Sequence, residues 1–198
     1  MPGQADAVAP AKQCDNASVG VLVERTDGNG RPRWLFIWRN TFPFSVAPVS
    51  GHVFDEHLSY TDAARAELKE EVGLDVTEVH WTPVGGWRLN RCRREPGPKG
   101  TGHQWEIYVA YLGLQVPELK LSEREVKLAR WLSAPQVQLL ANQTVLYAHG
   151  RVSDSEFQDF PGIEPVWVGF LAELDVVRLP VADLLAVEQL AADGEARL

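Results

Sequence analysis

The 198-residue chain holds two cysteines, one methionine, no apolar run near the about 20 residues that a bilayer span needs, and no excess of basic charge. Two cysteines, Cys14 and Cys92, cannot build a disulfide framework. They are also too isolated for a metal knuckle, and the five histidines lack metal spacing, so both thiols read as reduced and unligated. With 27 acidic against 19 basic residues the formal charge is -8, which argues against general nucleic-acid binding. A small anionic substrate is still allowed, because its binding depends on local rather than total charge. The opening MPGQADAVAPAKQ has no charged segment leading into an apolar one, so it does not read as a secretory signal. The expected setting is therefore cytoplasmic, with no membrane contact.

What is present is globular: 45% hydrophobic and 23% charged residues, enough chain to bury a substantial core. Residues 1–15 are rich in Ala, Pro and Gln without periodicity and are expected to form a mobile tail. SVGVLVER and WLFIWRN read as strands around the turn TDGNGRPR, and TFPFSVAPVSGHV brings a short strand to Gly51. A helix is expected from Ser59 or Thr61, both good caps, to Gly73, with Ala64, Leu68 and Val72 as its buried stripe. Two strand-rich runs follow, separated by RCRREPGPKGTG, and HQWEIYVAYLGL is apolar on both faces as a central strand would be. ARWLSAPQVQLLAN ends a strand and opens a helix. Beyond residue 142 the texture becomes helical, in EPVWVGFLAELDVV and PVADLLAVEQLAA. The expected class is α/β (α+β): a domain over 16–141 and a C-terminal helical extension over 142–198.

The helix ARAELKEEVGL places Glu67, Glu70 and Glu71 on one face, with no basic residue three or four positions from any of them. A solvated helix face usually mixes signs, and here Arg65 and Lys69 point away from the cluster. Like charges at this spacing cost roughly 0.2–0.5 kcal/mol per pair. Carboxylates left uncompensated in this way suit a hard divalent cation with oxygen ligands, Mg²⁺ or Mn²⁺.

GHVFDEHLSYTDAARAELKEEVGL resembles the Nudix box, G-x5-E-x7-R-E-U-x-E-E-x-G-U with U aliphatic; Glu67, Leu68, Glu70, Glu71, Gly73 and Leu74 match its last part position by position. The resemblance spans residues 16–141 and implies an α/β/α sandwich with a mixed sheet. It also implies a loop–helix–loop in which Gly51, Glu67, Glu70 and Glu71 hold Mg²⁺ or Mn²⁺ on a diphosphate. Three features depart from the pattern. Gly51 to Glu67 is one residue too long, the box arginine falls on Ala66, and the first glutamate falls on Leu58 or His57. If the chain is active, Leu58 and Ala66 are expected to pack in an apolar contact in place of the ionic pair, since losing both charges leaves none alone, with Arg65 and Glu56 as a shifted substitute for the pair.

Further candidates lie outside the box. Many Nudix enzymes carry a glutamate six residues before a tryptophan, and Glu125 stands six before Trp131, as an added metal ligand or general base or as an exposed loop carboxylate. RLNRCRREPGPKG holds Arg88, Arg91, Arg93, Arg94 and Lys99, which either cap a solvated hairpin or face phosphates as a group. Trp81, Trp87, Trp105 and Tyr108 read as core aromatics, one of which could stack on a base. His52 is assigned to the turn beside the metal loop.

The resemblance thus implies a metal-dependent pyrophosphohydrolase acting on a small-molecule diphosphate, a nucleoside diphosphate linked to another group, with Glu70 and Glu125 catalytic. Two alternatives share the fold. One is a non-catalytic ligand-binding or regulatory Nudix domain. The other is a diphosphate isomerase, which needs a cysteine near the position that Ser50 fills. The apolar tail helices could pack on a second subunit, giving a homodimer.

Overall fold

The computed structural model describes residues 12–92 and 94–193. Strand β1 (Ala17–Thr26) is the hub of a seven-stranded mixed sheet. One edge pairs in parallel with β6 (His103–Tyr111), from Ala17 opposite Gln104 to Glu24 opposite Tyr111. Its other edge is shared by β4 (Val49–His52) and β2 (Pro32–Arg39), both antiparallel. The sheet is completed by β3 (Val46–Ala47) and β7 (Val126–Leu132) on β2, and by β5 (His80–Arg88) on β6.

Strand alternation sends the apolar residues of β1 and β6 to opposite faces. Val19, Val21, Val23, Tyr108 and Ala110 form one face with the buried stripe of α1 (Tyr60–Val72), which is Ala64, Leu68 and Val72 with Ala63. Leu22, Trp105, Ile107 and Val109 form the other with α2 (Ala134–Ala148), α4 (Pro165–Glu173) and α5 (Val181–Asp193). A short α3 (Asp154–Asp159) packs Phe157 on Tyr147 of α2. The result is an α/β/α sandwich around a mixed sheet, as the sequence implies.

The ends of α1 fall where the caps placed them. Ser59 Oγ accepts from the Asp62 N–H at 3.1 Å, and Gly73 adopts the left-handed conformation at φ 73° while Leu74 N–H closes on Leu68 O at 3.0 Å. Other segments differ from the sequence reading. Residues 1–11 of the expected tail lie outside the described residues, but 12–15 are tied to the fold, Lys12 and Gln13 exposed and Cys14 buried. Cys14 is only 4% exposed, and its N–H bonds Glu95 O at 2.9 Å. The expected boundary at 141/142 falls inside α2, whose Val137, Ala141 and Val145 share one core layer with α4 and α5. Trp105 and Tyr108 are buried as expected, whereas Trp81 and Trp87 are exposed.

Gly20 ties that layer to the sheet. A Cβ there would overlap the Trp167 ring, which is fully buried on α4. Gly20→Ala must therefore displace Trp167 or bend β1, and overpacking of this kind costs about 1–3 kcal/mol. Urea unfolding should show a lower midpoint for this variant, and an unchanged midpoint would mean that the α4 layer yields freely.

Candidate functional site

Strand β4 carries Gly51 opposite Val19 of β1, and α1 packs across β4. This brings Glu67 onto the backbone of Gly51, where a Cβ would fall within the Glu67 carboxylate. Glu71, one turn on and 4% exposed, accepts the Ser50 N–H at 3.3 Å. Glu70 lines the same cleft from the exposed side of α1. Glu125 stands at the start of β7 and is pinned by its N–H to Ser122 O at 3.1 Å and by Asn40 N–H to its own carbonyl at 2.8 Å. Its side chain joins the cleft and is paired with Arg124.

The electrostatics express burial first and, for Glu67 and Glu71, crowding of like charge second. Burial, then the charges of Glu70 and Glu125, push the Glu67 carboxyl up from 4.5 to about 8, against the opposing pull of Arg39 and Arg94. Burial drives Glu71 well above the usual carboxylate range, opposed by Arg39. Glu164, at the head of α4, is raised by burial as well, again opposed by Arg39. Arg39, at the end of β2, is thus the one guanidinium acting on all three, with Nη1 3.9 Å from Glu164 Oε2 and 3.5 Å from Ser50 Oγ. Arg39 Nε, Arg94 Nη1 and Glu164 Oε2 are buried without a hydrogen-bond partner, which marks polar capacity open to a ligand.

The candidate arginines divide. Arg91 and Arg94 line the cleft, Arg94 in an ion pair with Asp55. Arg88 turns away, bonding Glu173 at 2.7 Å and lying over the Phe170 ring, and Arg93 lies outside the described residues. Leu58 is 96% exposed, so the apolar contact expected between it and Ala66 does not form; the longer loop before Ser59 leaves it in solvent. Arg39 and Glu164 were missed. The signal available was a charged residue closing each apolar run, WLFIWR and the segment before PVWVGF.

A second correction concerns the thiols and imidazoles. Cys14, His52, Cys92 and His103 bring one ligand atom each to within 4.8 Å of one another, and the last three also line the same cleft. Burial, with Arg94 in the same direction, holds His52 and His103 near 4. Burial also raises Cys14 to about 11, against the Asn16 N–H. Sequence spacing could not show this, because the four residues come from four separate segments.

A family model described as the NUDIX domain matches residues 15–152. No curated protein matches. Among solved structures, a C. elegans Ap4A hydrolase binary complex is 18% identical over 60% of this chain and 80% of its own, with TM-score 0.48. The NUDIX domain of Shewanella oneidensis NrtR, complexed with ADP ribose, is 16% identical over 64% and 76%, also at 0.48. A Listeria monocytogenes NUDIX hydrolase is 13% identical over 88% and 91%, at the same score.

The raised carboxyls predict a pH dependence. In protein freed of divalent cations, folded Glu67 keeps a proton that the unfolded chain has released, so its contribution makes stability fall as pH rises from 4.5 to about 8. His52 and His103 contribute with the opposite sign between about 4 and 6.5, leaving 6.5 to 8 as the clean window. The urea midpoint of chelator-treated protein should drop across that window, less steeply in Glu67→Gln and least in Glu67→Gln/Glu71→Gln, since Glu71 is raised as well. A flat wild-type profile would mean that Glu67 is already ionised in the folded chain.

Proposed function

This chain belongs to the Nudix family, and we propose that it is a metal-dependent hydrolase of a diphosphate linkage in a nucleoside diphosphate derivative. The observation that carries this reading is the convergence of Glu67, Glu70, Glu71 and Glu125 in one cleft whose rim also holds Arg91 and Arg94. The donor set is all oxygen, burial and then mutual repulsion raise the pKa values of Glu67 and Glu71, and the set fits Mg²⁺ or Mn²⁺. Glu67, Glu70, Glu71 and the backbone of Gly51 would hold the cation, which when bound withdraws charge from phosphoryl oxygens and acidifies water.

The chain's own groups then divide the work. Arg91 and Arg94 pair with phosphate oxygens and fix the diphosphate across the cleft. Glu125, on the wall facing α1, accepts a proton as water oxygen bonds to phosphorus and the bridging P–O bond breaks, the electron pair leaving with the departing phosphate. Arg39 keeps part of the carboxylate charge balanced while the site is open.

A second reading has a specific observation behind it. The box glutamate and arginine positions, Leu58 and Ala66, carry no charge, which suits a Nudix domain that binds its ligand without turning it over. A panel of nucleotide-sugars, dinucleotides and nucleoside triphosphates, assayed with Mg²⁺ and with Mn²⁺ against a Glu70→Gln control, separates the two. Turnover above the control supports the hydrolase. A ligand that raises Tm with no turnover supports the binder.

Two variants locate the roles. Glu125→Gln keeps size and removes the base, so turnover on the best substrate should fall about 10²-fold or more with Tm little changed. Full turnover in this variant would assign the proton to a helix carboxylate. Saturating Mn²⁺ should raise Tm in wild type and much less in Glu67→Gln/Glu71→Gln, and equal shifts would place the cation elsewhere.

A further inference from the structure

Four residues from four separate segments meet at one edge of the sheet, and the hydrolase chemistry uses none of them. Cys14 precedes β1, His52 ends β4, Cys92 lies in the β5–β6 connection and His103 opens β6. Cys14 Sγ lies 3.4 Å from His52 Nε2 and 3.1 Å from His103 Nε2, and all four ligand atoms fall within 4.8 Å of one another. Around a tetrahedral Zn²⁺, a sulfur and a nitrogen ligand stand about 3.6 Å apart and two sulfurs about 3.8 Å, given the usual Zn–S and Zn–N lengths. The cluster therefore needs only small adjustments to close on an ion. Both thiols are free.

The surrounding hydrogen bonds are those a metal site requires. Trp105 Nε1 is a donor only and gives its proton to Asn90 Oδ1 at 3.2 Å, which fixes the orientation of that amide. The same oxygen lies 2.9 Å from His103 Nδ1, so Nδ1 must carry the proton and Nε2 presents its lone pair to Cys14 Sγ. A buried acceptor that sets the imidazole tautomer in this way is the usual outer partner of a metal-bound histidine. The Asn16 N–H points to Cys14 Sγ at 3.3 Å, a bond that favours a thiolate. A disulfide between the two cysteines would leave the His103 lone pair aimed at a sulfur that cannot donate to it.

We propose that Cys14, His52, Cys92 and His103 form a closed Cys2His2 site for Zn²⁺, separate from the acidic face of α1. Two nitrogens and two thiolates suit zinc rather than Mg²⁺ or Mn²⁺, and two thiolates cancel the charge of the ion. Four protein ligands leave no open position, so the role is structural. The ion fastens the β5–β6 connection to the start of β1, alongside Asn16 Nδ2 bonds to Gly100 O at 2.9 Å and Gly102 O at 2.7 Å. That connection carries Arg91 and Arg94 on the cleft wall, so zinc sets their position without touching substrate.

The test uses the full, untagged chain purified without chelating resin. Elemental analysis should give about one zinc per chain, unchanged in Glu67→Gln/Glu71→Gln and lost in Cys92→Ser, as one tetrahedral site requires. Protein stripped of metal and titrated with Co²⁺ should develop tetrahedral ligand-field and thiolate-to-cobalt charge-transfer bands, which Zn²⁺ then abolishes. These wild-type spectra stand even if a variant fails to fold. Chelator treatment should lower Tm in wild type and not in Cys92→Ser. Absence of zinc together with absence of the cobalt bands overturns the site, as does a metal-free Cys14–Cys92 disulfide found by mass spectrometry of the unreduced protein.

Discussion

The contact of the Glu67 carboxylate with the bare Cα of Gly51 sets the terms for everything around it. It can exist only because position 51 has no side chain, because β4 is held in register on β1, and because α1 is capped so that Glu67 faces the strand. Taking that carboxylate and Glu71 out of water with only partial compensation from Arg39 is unfavourable, and burial raises both pKa values in favour of the protonated form. A fold that existed for stability alone would gain by replacing them with apolar groups. Their retention at the floor of a cleft makes sense if a divalent cation takes the place of the protons.

The remaining charges arrange themselves about that cost. Arg39 reaches under the cleft from the end of β2, and Glu164 meets it from the head of α4. The C-terminal helices therefore do two things. They cover the sheet through Trp167, Phe170 and Leu171, and they deliver the Glu164 carboxyl to the back of the site. On the opposite rim the β5–β6 connection offers cations, held by Asn16, by the Asp55–Arg94 pair and, on the reading given above, by zinc. One wall collects anions for a metal, and the other collects guanidinium for phosphate.

How much of this could be read from the sequence depended on whether a residue's partner lay nearby in the chain. The limits of α1 were legible because Ser59 and Gly73 act within a turn of themselves. Its acidic face was legible because three glutamates repeat at helical spacing. The strands of the sheet and the sandwich class followed from apolar patterning and the box. Glu125 could be singled out by its interval to Trp131, and the structure sets it opposite α1. What depended on distant pairing was not legible. His52 and His103 lie 38 and 89 residues from Cys14, so no local spacing announces their meeting. Arg39 and Glu164 meet only because α4 folds back on the sheet, and a boundary drawn at residue 142 hides that. Leu58 went the other way: the box register suggested a contact that a loop longer by one residue does not make.

The central claim is that the buried carboxylates hold protons when the cleft is open and release them to a divalent cation. Calorimetric titration of Mn²⁺ at neutral pH in buffers of different ionisation enthalpy measures that exchange directly. Net proton release on binding, greatly reduced in Glu67→Gln, is the expected result. Binding of Mn²⁺ with no proton release, or release unchanged in that variant, would contradict it.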